Sequence, residues 1–296
     1  MPRAQANGIE LEYETFGNPS NPAILLVMGL GIQLLGWHEI FCNMLVERGY
    51  YVIRYDNRDV GLSTKIEDGP EPDVMRMLAG DYSSASYTLD DMANDAVGLL
   101  DALDIERAHV VGISMGGMIG QTLAIKHPDR VLSLTSIMST TGDSAVGQPR
   151  QDVVMALITP APDGREAFID HQAGLFRMIG SPDYPMPDDQ LRDIIGQSYD
   201  RMNYPAGFLR QLAGIMASGD RTAALANVDV PTLVIHGEVD PLICVDGGEA
   251  CAKAIPGAKL VKIAGMGHDF PPQLWPRFVD EIVANAERAQ TPAASK

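Results

Sequence analysis

HVVGISMGG, residues 109–117, is the stretch of sequence that decides the fold class. Residues 109–113 form a short and largely apolar run, which predicts a buried strand. The helical spacing of apolar residues over 115–126 predicts a helix directly after it. Ser114 therefore stands on a tight turn, with its hydroxyl beyond the end of the strand. The glycines on either side let neighbouring backbone approach without a Cβ clash. An inert serine in a glycine-rich turn is the alternative, and the strand–turn–helix context favours a nucleophile over it.

The alternation of strand and helix extends along most of the chain. Further buried parallel strands are predicted from short apolar runs at residues 23–28, 51–55, 132–138, 232–236 and 260–263. A helix is predicted after Thr88, whose spacing to Asp91 resembles a capping box, and another over residues 276–288. Asn7-Gly8 predicts a hairpin whose second strand alternates apolar residues with Glu, as expected at a sheet edge. These elements indicate an α/β fold with a doubly wound parallel sheet.

One segment, residues 140–222, lacks the strand pattern. It contains helix-like segments near residues 149–159, 165–179, 188–201 and 205–218, separated by joints rich in Pro and Gly. We therefore expect an α/β core formed by residues 1–139 and 223–296, with residues 140–222 as an all-helical cap over the strand ends. Residues 67–86 are expected to be mostly a long loop, and the tail after Arg288 is expected to be disordered.

The composition of the chain disfavours several classes of partner. It has 22 basic and 39 acidic residues, a net charge of −17, which repels nucleic acid and anionic lipid. The three cysteines are far apart, which argues against a disulfide framework and against a zinc site. No secretory signal pattern is present, and the most apolar stretch, residues 23–37, is too short to span a bilayer. We expect a cytoplasmic protein without nucleic-acid or membrane partners.

A serine hydroxyl attacks efficiently only when a base removes its proton, so a histidine partner is needed. His268 lies in a glycine-containing loop between the last predicted strand and the last helix, where it could reach Ser114. His38, close to the loop after the strand at residues 23–28, is the alternative base. The other histidines are expected to be structural or solvated: His109, His127, His171 and His236.

The base in turn needs an acid that orients it. In a sheet of this kind the order along the chain is serine, acid, histidine, which favours Asp240 after the strand at residues 232–236. Glu238 is a neighbour that could be mistaken for this acid, and Asp143 is the alternative after the preceding strand. A turn-forming role before Pro241 is the plainer interpretation of Asp240.

Backbone amides are the expected oxyanion donors. Met115 N–H lies at a helix N-terminus, and Leu30 N–H lies in the Met28-Gly29-Leu30-Gly31 loop, which carries little side-chain bulk. A merely flexible glycine loop is the alternative.

An apolar and adaptable substrate pocket is expected at Met28, Trp37 and Met266, because these residues flank the proposed site elements. Ordinary packing in the core is the alternative interpretation for all three.

Several motifs also resemble a known family. GISMGG, HGEVDPL, GMGHDFP and YDNRDVGLS resemble the α/β-hydrolase superfamily, and VMGLGIQLLGW strengthens a likeness to aclacinomycin methylesterase and related carboxylesterases. The resemblance covers roughly residues 8–138 and 228–285. It implies a mostly parallel eight-stranded sheet, no metal and no cofactor, with Asp56 and Arg58 as structural turn partners. Many relatives carry His-Gly where this chain has Met28-Gly29.

Transferred onto the matching positions, the resemblance implies Ser114 as nucleophile, Asp240 as acid and His268 as base. It also implies that the amides of Leu30 and Met115 form the oxyanion hole.

Together these observations predict a serine carboxylic-ester hydrolase. It would act on small to medium hydrophobic esters, including methyl esters, through an acyl-enzyme intermediate. A serine rather than an aspartate at position 114 disfavours haloalkane dehalogenases and epoxide hydrolases. The alternatives are a cofactor-free perhydrolase, a C–C bond hydrolase and a non-catalytic small-ligand receptor of the same fold. This chain has Asp269 at the position where C–C bond hydrolases often carry Trp, which disfavours the C–C bond hydrolase.

Overall fold

The computed structural model describes residues 1–289, and eight strands of this part of the chain form one sheet. The strands are β1 (Arg3–Ala6), β2 (Ile9–Phe16), β3 (Ala23–Val27), β4 (Tyr51–Tyr55), β5 (Ala108–Ile113), β6 (Val131–Ile137), β7 (Thr232–Gly237) and β8 (Lys259–Ile263). Their spatial order is β1-β2-β4-β3-β5-β6-β7-β8. β2 pairs antiparallel with β1 and β4, and the other pairs are parallel. Every strand predicted from an apolar run is present.

Helices connect the strands. They are α1 (Glu39–Glu47), α2 (Val74–Leu78), α3 (Leu89–Ala102), α4 (Met115–Lys126), α5 (Gln151–Ile158), α6 (Arg165–Ile179), α7 (Asp188–Arg201), α8 (Pro205–Ser218), α9 (Thr222–Leu225), α10 (Val245–Ala254) and α11 (Trp275–Arg288). The capping box predicted at Thr88 and Asp91 begins α3. The sequence analysis did not predict α1, α9 or α10, and α2 lies in the segment that it expected to be mostly loop. Of the helices in the described part of the chain, none has the length and apolar composition needed to cross a bilayer.

The central strand β3 is apolar and buried at every position because both faces of the sheet are covered there. In β3, Leu25 and Val27 join the core on the side of α3 and α4, whereas Ile24 and Leu26 join the core on the side of α1 and α11. Alternate side chains of a strand point to opposite faces, so a strand between two helical layers needs apolar residues at every position. The doubly wound sheet is confirmed.

The N-terminal hairpin forms at the predicted turn. Asn7 and Gly8 have φ angles of 49° and 80°, the left-handed values that a two-residue hairpin turn requires. The strand that alternates apolar residues with Glu, β2, was expected at the edge of the sheet. It lies one strand inside the edge, because β1 pairs along its outer side. There the Arg3 guanidinium donates to the carboxylate of Glu12 at 3.0 Å.

Residues 140–222, hereafter the cap, contain the long helices α5, α6, α7 and α8 between β6 and β7, and no strand is described in this segment. Ile169, Ala173, Leu191 and Ile195 form a buried apolar cluster within it. The division into core and cap stays a prediction, which this separate cluster supports. Residues 67–86 are mostly loop and include the five-residue α2. The predicted disorder beyond residue 289 lies outside the described residues.

Candidate active site

Ser114 occupies a strained turn between β5 and α4. Its φ and ψ angles are 56° and −119°, and its backbone N–H donates to Ile137 O at 2.9 Å. Positive φ is costly for a residue with a Cβ, so the surrounding structure must hold this conformation. A Cβ added at Gly112 would lie 2.1 Å from Gly116 O, and one added at Gly116 would lie 2.1 Å from Val27 O. The two glycines are therefore what allows this turn to close against β3.

The turn presents the serine hydroxyl to a histidine from the far end of the chain. Ser114 Oγ lies 3.0 Å from His268 Nε2, and His268 Nδ1 lies 2.7 Å from Asp240 Oδ2. The structure thus brings together the three side chains that the sequence pattern selected, in one chain of hydrogen bonds. His268 is 8 % exposed and Asp240 is 4 % exposed, so little solvent screens the pair.

The carboxylate of Asp240 is held from several sides. Its Oδ1 accepts the backbone N–H groups of Leu242 and Ile243 at 2.8 and 2.9 Å. Burial opposes its ionisation, but the imidazoles of His268 and His236 and the hydrogen bonds they make hold the pKa of Asp240 below its ordinary value. Asp240 is therefore an anion that accepts the Nδ1–H of His268 and leaves Nε2 free to accept the serine proton.

The alternative base and acids make other contacts. His38 caps α1 by accepting Ile40 N–H at 3.2 Å, and its ring stacks on Trp275. Asp143 accepts Ala145 N–H at 2.9 Å, and Glu238 is exposed. The geometry therefore favours His268 over His38 and Asp240 over Asp143 and Glu238.

Two backbone amides near Ser114 are available to bind an oxyanion. Met115 is the first residue of α4, and Leu30 lies in the loop that follows β3. Within residues 1–289, neither N–H meets an acceptor. A Cβ added at Gly29 would lie 3.3 Å from Ser114 Cβ, so the loop of Leu30 runs directly beside the serine.

Between the cap and the sheet edge lies a cavity of about 1890 Å³, and both Ser114 and His268 line it. Met28 lines it from the core. Much of the wall formed by the cap is apolar and includes Phe168, Leu175, Phe208, Leu212, Ile215 and Met216. The site is therefore covered by a hydrophobic chamber.

Two of the three predicted pocket residues do not line this chamber, and for them the prediction is wrong. Trp37 and Met266 are fully buried in the core on the side of α1 and α11, where Trp37 stacks on Phe41 with ring centroids 5.5 Å apart. Nearness in sequence to a site residue does not determine the direction of a side chain where the loop bends. The loop of Met266 bends at Gly265, which has a φ of 68°.

The sequence analysis missed the part of the cap that holds the loop of His268. The backbone N–H of His268 donates to Ile179 O at 2.6 Å, and Gly267 N–H donates to Ser181 Oγ at 2.9 Å. The Ser181 hydroxyl in turn donates to Asp269, and burial raises the pKa of that carboxyl above its ordinary value. No local signal could have found these contacts, because the partners lie on segments separated by the whole of α7, α8 and β7.

Among the residues that the structure describes, no three His, Cys, Asp or Glu side chains are arranged to hold a metal ion.

Comparison with known proteins agrees with this architecture. A family model described as alpha/beta hydrolase fold matches residues 22–272. The chain is 29% identical to a rhodomycin D methylesterase of Streptomyces sp. (strain C5) and 28% identical to one of Streptomyces peucetius, in each case over 97% of this chain and 96% of the relative. A crystal structure of the enol-lactonase from Burkholderia xenovorans LB400 superposes with a TM-score of 0.77 at 27% identity, covering 97% of this chain and 100% of that one.

The chain belongs to the α/β-hydrolase family. Within that family it is a carboxylesterase, in agreement with the relatives that it matches over nearly its full length, which are named methylesterases. The fold class, the resemblance and the ester-hydrolase activity that the sequence predicted are thus confirmed.

Proposed function

We propose that Ser114, His268 and Asp240 carry out ester hydrolysis as nucleophile, general base and orienting acid. The observation that carries this proposal is the continuous hydrogen-bonded chain from Ser114 Oγ through His268 to Asp240. His268 Nε2 takes the hydroxyl proton while Ser114 Oγ bonds to the ester carbonyl carbon. The alcohol leaves with that proton, water then attacks the acyl-enzyme by the same route, and the carboxylic acid is released as Ser114 is regenerated.

The amides of Leu30 and Met115 hold the oxyanion in this scheme. Both N–H groups lie beside Ser114 and have no acceptor within the described part of the chain, so they can bind the charge that develops on the carbonyl oxygen. Such preorganised donors act in a site with little water, and losing one typically costs about 10²–10³ in turnover.

For the substrate, we propose a hydrophobic ester whose acid part contains several rings and whose alcohol is small, such as a methyl ester. Pockets for small molecules commonly measure about 300–1,000 Å³. The cavity over Ser114 measures about 1890 Å³, which leaves room for a compact multi-ring molecule. The relatives at 29% and 28% identity are named rhodomycin D methylesterases, which agrees with a methyl ester as substrate.

A screen of purified protein tests the proposal. It would compare methyl esters of polycyclic acids with p-nitrophenyl esters of increasing acyl length, with Ser114→Ala as control. We expect turnover of both sets, with a higher kcat/KM for the polycyclic methyl esters. Ser114→Ala should turn over neither set. Ligand binding without turnover of any ester would instead indicate a receptor of the same fold and would contradict the proposal.

The location and the partners of the protein stay predictions. Cys42, Cys244 and Cys251 are free thiols in the structure, which is compatible with a cytoplasmic location. The excess of acidic residues disfavours nucleic acid as a partner.

A further inference from the structure

A side chain of the cap holds the loop that carries Leu30. Gly31 N–H, one residue after Leu30, donates to Gln211 Oε1 at 2.8 Å, and Gln211 is a fully buried residue of α8. The amide group of Gln211 also donates through Nε2 to Arg58 O at 2.8 Å. On the same helix, Phe208 lies so close to Gly31 that a Cβ there would be 2.8 Å from its ring. One side chain thus ties the oxyanion loop to the loop after β4.

That hydrogen bond favours one backbone conformation of the loop. Ile32 N–H donates to Gly29 O at 3.3 Å, which places Leu30 and Gly31 at the centre of a β-turn. Gly31 has a φ of 71°, the value that the second central residue adopts in a type II turn. Types I and II differ by a flip of the central peptide, here the peptide that contains Gly31 N–H. By accepting this N–H, Gln211 selects one of the two conformations.

Gln211 is itself rigidly placed. Its neighbour Arg210 is paired with Asp59 at 3.0 and 3.3 Å, and both side chains are buried. Arg58, which supplies the second contact of Gln211, is paired with Asp95 at 2.7 and 2.6 Å. Breaking a buried ion pair by removing one partner is strongly destabilising, so the first pair holds α8 against the core and the second holds the loop that carries Arg58 O against α3.

We propose that Gln211 is a positioning residue of ester hydrolysis, which holds the oxyanion loop in the conformation that aims Leu30 N–H at the reacting carbonyl. The cap then helps to form the oxyanion hole in addition to covering the substrate. This inference rests on the proposed function, because it assigns Gln211 a role in the same oxyanion site.

Gln211→Met tests the proposal, since it removes both hydrogen bonds and keeps the volume of the side chain close to that of glutamine. Losing an oxyanion donor costs about 10²–10³, so we expect a misplaced donor to lower kcat by about 10- to 100-fold. KM should change by less than about threefold, because an interaction made only in the transition state is lost.

Ser218→Ala is the matched control. Ser218 lies on the same helix, and its Oγ accepts Leu89 N–H from the core at 2.9 Å, away from the oxyanion loop. The substitution Ser218→Ala therefore removes a hydrogen bond between cap and core away from the site, and kcat should stay within about twofold of the wild type.

A second measurement separates positioning from a general structural effect. A trifluoromethyl ketone adds to Ser114 to give a hemiketal whose oxyanion occupies the same hole, whereas the matching ether, which has no carbonyl group, binds in the cavity without placing a charge there. We expect Gln211→Met to weaken binding of the ketone by the same factor as kcat/KM and to leave the affinity for the ether unchanged. If this variant does not fold, Gln211→Asn replaces it, because its shorter side chain cannot keep the 2.8 Å contact to Gly31.

The outcomes are distinguishable. A folded Gln211 variant with kcat and ketone affinity both within about twofold of an active wild type overturns the inference and leaves the proposed function standing. Equal losses in Ser218→Ala also overturn it. A wild type that hydrolyses no ester refutes both proposals.

Discussion

The substitution Asp240→Asn exchanges one oxygen of the carboxylate for an NH₂ group, and the contacts of the residue determine which one. Oδ1 accepts two backbone N–H groups, from Leu242 and Ile243, at 2.8 and 2.9 Å. An NH₂ group cannot accept them, so the amide oxygen must stay there and the NH₂ must face His268 Nδ1. His268 then has to accept at Nδ1 and carry its proton on Nε2, where it cannot take the proton of Ser114.

The expected cost follows from this tautomer. In a serine protease the same exchange lowers kcat by about 10⁴ with the geometry intact, and we expect a fall of about 10⁴ in kcat for Asp240→Asn at pH 7. The assay is steady-state turnover of a p-nitrophenyl ester, with a thermal melt to show that the variant is folded. Glu238→Gln is the matched control, because Glu238 is exposed and lies two residues away on the same loop. A folded Asp240→Asn that retains kcat within about tenfold of the wild type would refute the reasoning.

Two further predictions concern stability. Burial lowers the pKa of His109 from 6.5 to about 4, so below pH 6.5 the unfolded chain binds a proton that the folded chain does not, and stability falls with falling pH. From pH 7 to pH 5 the free energy of unfolding should fall by about 2 kcal/mol on account of His109. Urea unfolding at the two pH values should show that His109→Gln loses less stability than the wild type. An equal loss in the two proteins would contradict the prediction. Gly116→Ala should lower the stability by about 2 kcal/mol or more, because its Cβ would meet backbone at 2.1 Å from Val27 O. In urea unfolding of both glycine variants, Gly174→Ala, where a Cβ meets nothing within 4 Å, should be neutral or up to about 1 kcal/mol stabilising. Equal changes in stability for the two variants would show that the close approach at Gly116 is unimportant.

The sequence was sufficient to predict those parts of the site that lie just after parallel strands of the sheet. The carboxyl ends of parallel strands meet at one edge, so residues just after β5, β7 and β8 can converge whatever their separation in sequence. Ser114, Asp240 and His268 each follow one of these strands, and the pattern therefore selected them correctly as neighbours. The same reasoning placed the loop of Leu30 after β3 beside the serine.

The sequence could not predict directions and contacts that depend on packing. Trp37 and Met266 lie within a few residues of site elements, yet their side chains enter the core rather than the cavity. Gln211 contacts Gly31 across 180 positions of the chain, and Ile179 contacts His268 across about half that separation. Helical periodicity located the cap helices closely, but it carries no information on which residues of the cap dock against the loops of the core.

Covalent labelling measures most directly whether Ser114 is the activated nucleophile. Purified protein would be treated with a p-nitrophenyl phosphonate and analysed by intact-mass and peptide mass spectrometry, in parallel with residual ester turnover. We predict a single adduct on Ser114, formed in step with the loss of activity and greatly slowed in His268→Ala. An adduct on another residue that accompanies inactivation, or full turnover by Ser114→Ala, would contradict the account.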